Sequence, residues 1–555
     1  MKPPIKRALH IVGFVLVSLF YTNSNAQDHL TAEKWQEDLR FLQNTVNEQY
    51  SFLFKKVTSE TFNAEVEKLY EAIPNMQGHE VLVGLARIVA LFKYGHTSLG
   101  FRGGKVKYHK LPINLYHFKD GVYIEGTHQS HKAILGAKLM AIECVATKDA
   151  LQRVKPVFPT ENDQFFKAYG IGYLAIPEIL HAQGITKTYT QTVTITVEKD
   201  GKTFDYNLTS VEPDAMSTNY GYIKQEGEWL SSRNQEVIPH YLKHLDKIYY
   251  YDYLPETKTV YIRHSQIQDD PSEDIPTFYA KVFDFIENND VEKLILDVRL
   301  NGGGNNYKNK PIVTGLIKSE KINQPGHLFV IVGRRTFSAC QNLINELHNY
   351  TNVVFVGEPS GENINFYGDN RRISLPNSNT PVYLSFAWWQ DKPQWENEDW
   401  TAPHVPVNMT FAQYCAGEDP VLEKTLKFKT EGFVLNPMGH LTNLFTSGQM
   451  ERVKEDAMAM IQDERYAFID FEDQFNRVAY NMIGGERNQG AVFVMQLTTQ
   501  AFPESVLSWK NYGDALLYEK NYEQAKACYN KVIELAPDSP QAKSAKDALN
   551  KMEKG

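Results

Sequence analysis

Cysteine is scarce. Four residues, Cys144, Cys340, Cys415 and Cys528, are spread over 555 positions. None falls in a metal-ligand spacing, and the set makes no disulfide framework, so each is expected to be an isolated core thiol. A basic excess is lacking as well. Against 58 Lys and Arg stand 67 Asp and Glu, a formal charge of −9, which argues against nucleic acid as a partner. Beyond the first 26 residues no apolar run approaches the roughly 20 residues that a membrane helix needs. The one glycine triplet, Gly302–Gly304, is followed by NNYK. A phosphate-binding loop would instead place Lys and then Ser or Thr there.

Apolar residues make up 42% and charged residues 23%, the balance of a globular protein. The length exceeds one hydrophobic core and implies several domains. The N-terminus differs in texture. Lys2, Lys6 and Arg7 precede ALHIVGFVLVSLFY, and Ser24 and Ala26 close the segment. A basic head, a short apolar middle and small residues at its end form the layout of a secretory signal peptide over residues 1–26, with cleavage after Ala26. An uncleaved anchor helix is the alternative, for which the run is short. No Cys follows it, which disfavours lipid attachment. Cleavage removes three basic residues and no acidic one, taking the charge from −9 to −12.

Residues 27–102 read as a helical domain, with Trp35, Leu39, Leu42 and Val46 at helical spacing and VLVGLARIVALF ahead of the break at Gly95. Residues 103–215 turn to short alternating runs, LPINLYHF, GVYIEG, AKLMAIE and TVTITVEKDGKTFDYNL, with a hairpin signal at Asp200-Gly201. This β-rich module, with one helix at KDALQRV, resembles a PDZ domain, whose open sheet edge accepts a peptide as an added strand. In residues 216–435 continuous apolar strands, TVYIRH, KLILDVRL, HLFVIVG and TNVVFVG, alternate with amphipathic helices. That pattern predicts a sheet covered on both faces, hence a multidomain α/β protein. Residues 436–555 are helical. Phe475, Ala491 and Pro503 recur 34 positions later as Trp509, Ala525 and Pro537. With Gly513 and Tyr529 they resemble two tetratricopeptide units, about 472–505 and 506–539, a scaffold that offers a surface to a protein partner.

Ser338 stands between the apolar run ending in VIVG and a helix start. Position alone admits a plain N-cap. Its surroundings admit more. KLILDVRLNGGGNN ends a buried strand in bare glycines, whose backbone N–H groups can cradle an oxyanion, and VVFVGEPSG follows the serine helix. LILDVRLNGGG resembles the DxRxNGGG strand of the C-terminal-processing (tail-specific) serine peptidases, the family that includes the tricorn core. TFSACQNL resembles that family's nucleophile turn, and VVFVGEPSG its following GxxTxG loop. The helical opening WQEDLRFLQNTV and the GHT motif ahead of the β module are similar to the exported branch.

The resemblance implies a crotonase/ClpP-like catalytic core with Ser338 as nucleophile. Its oxyanion hole would use the N–H of Ala339 and one from Gly302 or Gly303. Many members use a lysine base in the loop after the second strand, where this chain has Asn363. The tricorn-like branch takes a His from upstream and a carboxylate from downstream. The matching residues are His96 and, within WENEDWTAPHV, Glu396, with Glu398 next. Where the family closes this region with PD, this chain has Pro403-His404, and His404 is either a surface residue or an alternative base. Asp297 and Arg299 are expected to hold the glycine loop. The function implied is an exported, periplasmic or secreted serine endopeptidase that needs no metal or cofactor and acts on peptides or proteins. A catalytically silent peptide-binding protein of the same fold, or a hydrolase of non-peptide esters, would use the same residues.

Overall fold

The computed structural model describes residues 30–395 and 398–554. The expected signal peptide lies outside these residues, as does Glu396. Three helices open the described chain, α1 (Ala32–Gln49), α2 (Ser59–Ala72) and α3 (Gly78–Ala90). Thr31 and Thr58 start the first two as N-caps, their hydroxyls accepting the Lys34 and Thr61 N–H groups. The Trp35, Leu39, Leu42, Val46 stripe packs with Phe62, Val66 and Leu69 in one core. Helix α3 is apolar on nearly every side because it is buried on nearly every side.

A seven-stranded, largely antiparallel sheet follows, its backbone order running Trp229–Ser231, Gly121–His128, Lys138–Ile142, Thr192–Lys199, Lys202–Thr209. Asp200 and Gly201 both have positive φ, 51° and 72°, the demand of a two-residue hairpin turn. The last strand of the sheet lies beyond residue 215, so the β unit draws on chain from further along. The sheet and the N-terminal helices share a single apolar core, which also takes in Phe337, Tyr367 and Leu384. Cys340 and Cys528 are buried thiols as expected, but Cys415 is half-buried and Cys144 is exposed. Cys144 falls in the tight turn between Lys138–Ile142 and Val145–Ala146, after Glu143 at φ 48°, and a turn of that kind faces solvent.

The central sheet has six strands in sequence order, β1 (Tyr249–Leu254), β2 (Thr259–His264), β3 (Lys293–Asp297), β4 (Leu328–Val332), β5 (Val354–Gly357) and β6 (Val405–Pro406). β1 is antiparallel to β2 and the remaining pairs are parallel. Register places Arg263 beside Asp297, Asp297 beside Ile331 and Val332 beside Gly357, so the carboxyl ends of four strands, β2 to β5, finish side by side. Alternation sorts the faces. Val260, Ile262, Leu294, Leu296, Val330 and Phe355 pack under α4 (Ile275–Asn288), α5 (Lys310–Lys318) and α6 (Ala339–Tyr350). Tyr261, Ile295, Phe329, Ile331 and Val356 face Val421 and Leu422 on the other side. Both faces being covered is why these strands read as unbroken apolar runs.

A hairpin, Phe366–Ser374 with Pro381–Trp389, pairs with the short strand Ser98–Leu99. It ties the N-terminal half of the chain to the central sheet and fixes the segment that contains His96. The C-terminal helices stack as antiparallel pairs, with Phe471–Tyr480 and Asn488–Ala501 in the first unit, Val506–Tyr518 and Tyr522–Leu535 in the second, and Pro540–Lys554 closing the array. A Cβ at Gly513 would sit 2.7 Å from the Tyr529 ring, which explains the small residue at that crossing. The segment just ahead of the array meets the preceding domain through Tyr466, which stacks on Phe433 and whose hydroxyl accepts the Val434 N–H (2.8 Å). Among the described residues no helix is long and apolar enough to cross a membrane.

The packing of the central sheet makes a direct prediction. Ile262 is fully buried in β2, and Ile262→Ala is expected to lower unfolding free energy by about 2–5 kcal/mol in denaturant titration. A loss below about 1 kcal/mol would mean that the site collapses freely and that the sheet core is not close-packed.

Candidate active site

Ser338 follows β4 and stands at the head of α6. Its backbone has φ 57° and ψ −129°, and its hydroxyl caps no helix N–H. A non-glycine residue at such angles is strained by about 1–3 kcal/mol, and a strained strand-to-helix turn is how a nucleophile elbow lifts its side chain clear of the backbone. The hydroxyl meets His96 instead, with Oγ 3.0 Å from Nε2 across 242 positions of sequence. The N-cap reading is therefore set aside for the side chain, since the Ser338 carbonyl accepts the Gln341 and Asn342 N–H groups while its hydroxyl caps nothing.

His96 is held from several directions. Its ring is stacked on Phe337, centroids 4.6 Å apart, with Phe366 on a parallel plane at 6.0 Å. Phe165 stacks on Phe337 in turn. A Cβ on Gly95 would come within 2.7 Å of Phe337 and 2.8 Å of Phe165, so only glycine lets the chain pass this aromatic stack. Thr97 exchanges hydroxyl contact with Ser385 (2.7 Å) and accepts the Ser385 N–H, locking the next residue to the hairpin. Burial lowers the His96 pKa to about 4, because the imidazolium loses its hydration there. The ring is neutral near pH 7, the form that accepts a proton.

The glycine loop after β3 is shaped by Asn301. Its Oδ1 accepts the Gly303 N–H (2.9 Å), while its amide donates to the His264 carbonyl (3.0 Å). Gly303 therefore serves through its missing side chain rather than through its amide. At φ 98°, a Cβ there would lie 2.6 Å from the Ser338 Cβ and 2.9 Å from the Ala339 nitrogen. Gly302 is exposed, and its N–H is the amide of that pair left uncommitted. Asp297 and Arg299 hold the loop, as expected. Asp297 accepts from the Tyr261 hydroxyl (2.8 Å) and the Arg299 Nε (3.0 Å), and Arg299 forks onto Asp419 at 2.9 and 3.0 Å. Tyr261 and Asp297 are buried, Arg299 and Asp419 half-buried, and Asp419 caps the helix Pro420–Leu426, so the fork pins the loop to the far side of the sheet.

The carboxyl group facing the second nitrogen of His96 is one the sequence reading missed. Glu362, in the loop after β5, brings Oε2 to 3.8 Å from Nδ1 and accepts the Ser338 N–H at 2.8 Å. It is fully buried, and burial beside Glu161 pushes its pKa well up. The loop after β5 reads EPSGENIN and offers two glutamates, of which Glu358 pairs with Arg334, so the sequence did not single out Glu362, one position before Asn363. Asn363 itself is buried and lines the adjoining cavity of about 1060 Å³. Glu398 is exposed on the rim of that cavity and contributes its backbone carbonyl to Ile364. His404 is neither a surface residue nor a base near the serine. It is half-buried, stacked on Phe355, and its Nδ1 accepts the Phe355 N–H (2.9 Å).

Residues 506–539 match the tetratricopeptide repeat family, the span expected for the second unit. No curated protein matches the chain. Among solved structures it is similar to mature CPAF, at 12% identity and TM-score 0.49, over 71% of this chain and 97% of that one. It is similar to the photosystem II D1 C-terminal processing protease, at 14% identity and TM-score 0.32, over 67% of this chain and 93% of that one. It is also similar to the tricorn protease, at 13% identity and TM-score 0.34, over 71% of this chain and 36% of that one. These are likenesses of fold.

The site's protonation state is open to measurement. In histidine-selective nitrogen-15 spectra at about pH 6, His96 is expected to give the signature of a neutral ring protonated on Nδ1, since Nε2 accepts from Ser338. An imidazolium signature at that pH would contradict the burial argument.

Proposed function

We propose that the chain is a serine-type endopeptidase with Ser338 as nucleophile and His96 as general base. The observation that carries this reading is the 3.0 Å contact between Oγ and Nε2, made by a serine in strained backbone geometry whose hydroxyl caps nothing. A peptide lies extended in the cleft, and Oγ attacks its carbonyl carbon as His96 Nε2 takes the hydroxyl proton. The C=O electron pair moves onto oxygen, and that charge is met by the N–H groups of Ala339 and Gly302. Ala339 opens α6, so the positive end of the helix dipole adds to the same stabilisation. Collapse breaks the C–N bond, the amine leaves with the proton from Nε2, and water repeats the sequence on the acyl-enzyme. The scheme calls on no metal or cofactor.

The basic, apolar and small-residue order of residues 1–26 supports export to a periplasm or beyond, and N-terminal sequencing of the mature protein is expected to begin at Gln27. The C-terminal repeats supply a surface for a protein partner, separate from the cleft.

Ser338→Ala is expected to abolish labelling by a fluorophosphonate probe and to lower peptide cleavage by up to about a million-fold, with His96→Ala comparably affected. Both should keep the wild-type melting profile. A protein that only binds peptides would leave wild-type Ser338 unlabelled, and cleavage retained by Ser338→Ala would remove that residue from the mechanism.

A further inference from the structure

Behind His96 lies a second buried acid. Glu161, in the loop before the helix Asp163–Tyr169, is 4% exposed, and Glu362 is 0% exposed. Glu161 Oε2 accepts the Gly95 N–H and Glu362 Oε2 lies 3.8 Å from Nδ1 of the next residue, His96, so the two carboxyls are buried as neighbours, and the proximity of Glu161 adds to the rise of the Glu362 pKa. Each has one oxygen, Oε1, that is buried and has no donor. Two bare carboxylate oxygens do not rest against each other in a dry interior, because like charges at that range cannot both be kept. A single proton held by the pair supplies a donor where two buried carboxylates have none to spare.

The surroundings say which residue keeps the charge. Glu161 Oε2 accepts the Gly95 N–H at 2.5 Å, Asn363 donates its backbone N–H to the same carboxyl, and Lys56 Nζ lies 3.9 Å from Oε1. Glu362 has the Ser338 N–H, and its nearest charged or titratable neighbours are Glu161, Lys56 and His96. Glu161 is the better-solvated anion and Glu362 the acid. The pair reaches every moving part of the site. Glu161 holds the residue before His96, and Glu362 holds the backbone of the nucleophile and faces the second imidazole nitrogen.

We propose that Glu161 and Glu362 form one proton-sharing carboxyl pair, bearing a single negative charge, that positions His96 and Ser338 and offsets the charge of the imidazolium. This rests on the peptidase reading and deepens it. The pair's own proton stays in place through the cycle, while the proton that moves is the one exchanged between Ser338 Oγ, His96 Nε2 and the leaving amine. A lone carboxylate at Glu362 would bind the imidazolium more directly but would be hard to keep ionised so far from water. Sharing the charge with Glu161, where backbone donors and Lys56 stabilise it, resolves that conflict.

The charge can sit on either member, and this makes the test specific. In Glu161→Gln, Glu362 is the remaining carboxylate, and the amide introduced at position 161 is its donor. In Glu362→Gln, Glu161 is the remaining one, and the amide oxygen introduced at position 362 still accepts the Ser338 N–H. Each single variant is expected to retain kcat/KM within about tenfold of wild type. The double variant is expected to lose at least about a hundredfold more than the product of the two singles, with its acid limb moved in the pH profile.

Infrared spectroscopy on the full chain reads the proton without using activity. A protonated-carboxyl stretch should be present near pH 7 in wild type and in Ser338→Ala, and should vanish in either glutamine variant. A wild type that labels at Ser338 but shows no such band, or a double variant whose loss is merely the product of the singles, overturns the proposal. A wild type that fails to label at Ser338 overturns the peptidase reading, and the band then reports separately on whether the pair exists.

Discussion

One hydrogen bond between residues far apart in sequence organises this molecule. Ser338 Oγ and His96 Nε2 come from different halves of the chain, and each is brought into place by a different device. The serine is lifted by a strained turn between a buried parallel strand and a helix. The imidazole is carried on a segment that pairs, two residues later, with the hairpin Pro381–Trp389. That hairpin is rooted in the loop after β5, so the central sheet positions both partners, one directly and one through an added sheet. The strain at Ser338 can persist only because its surroundings over-determine it. The Ser338 N–H is held by Glu362, and the Gly303 backbone packs against the serine Cβ.

The electrostatics follow from the same burial. A ring stacked against phenylalanine cannot keep a proton in the resting state, and a buried carboxyl cannot easily lose one. The site thus rests with neutral imidazole beside a carboxyl pair rather than with a preformed ion pair. This arrangement suits a base that must accept a proton during the reaction and hold it only briefly. Arg299 and Asp297 belong to another task. Arg299, paired with Asp297, forks onto Asp419 and fixes the start of the glycine loop from behind.

The parts legible in the sequence were those written in local pattern. Continuous apolar strands gave the two-faced sheet, the glycine run marked the loop after β3, and the 34-residue spacing marked the helical repeats. Ser338 and His96 were singled out because TFSACQNL and GHT resemble a known family's motifs, since position alone left Ser338 a plain N-cap. Glu362 was not, because nothing in GEPSGENIN says which way a side chain points once the loop folds back under α6. Glu161 lay in a loop with no periodicity at all. The separation of the helical segment from the β module looked real in the texture of the sequence, yet both bury their apolar faces in one core. Which faces meet is a property of packing, and single-residue pattern does not contain it. Cys144 shows the same limit at small scale, where a turn decided exposure against the usual preference of the thiol.

The account stands on the claim that Ser338, His96 and the glycine loop form one acyl-transfer site. The most direct measurement is a crystal structure of the protein bearing a peptidyl phosphonate adduct. The account predicts phosphorus bonded to Ser338 Oγ, with one phosphonyl oxygen about 2.7–3.1 Å from the nitrogens of Gly302 and Ala339 and His96 Nε2 beside the remaining oxygen. An adduct on another residue, or a phosphonyl oxygen turned to solvent with those amides unengaged, would contradict it.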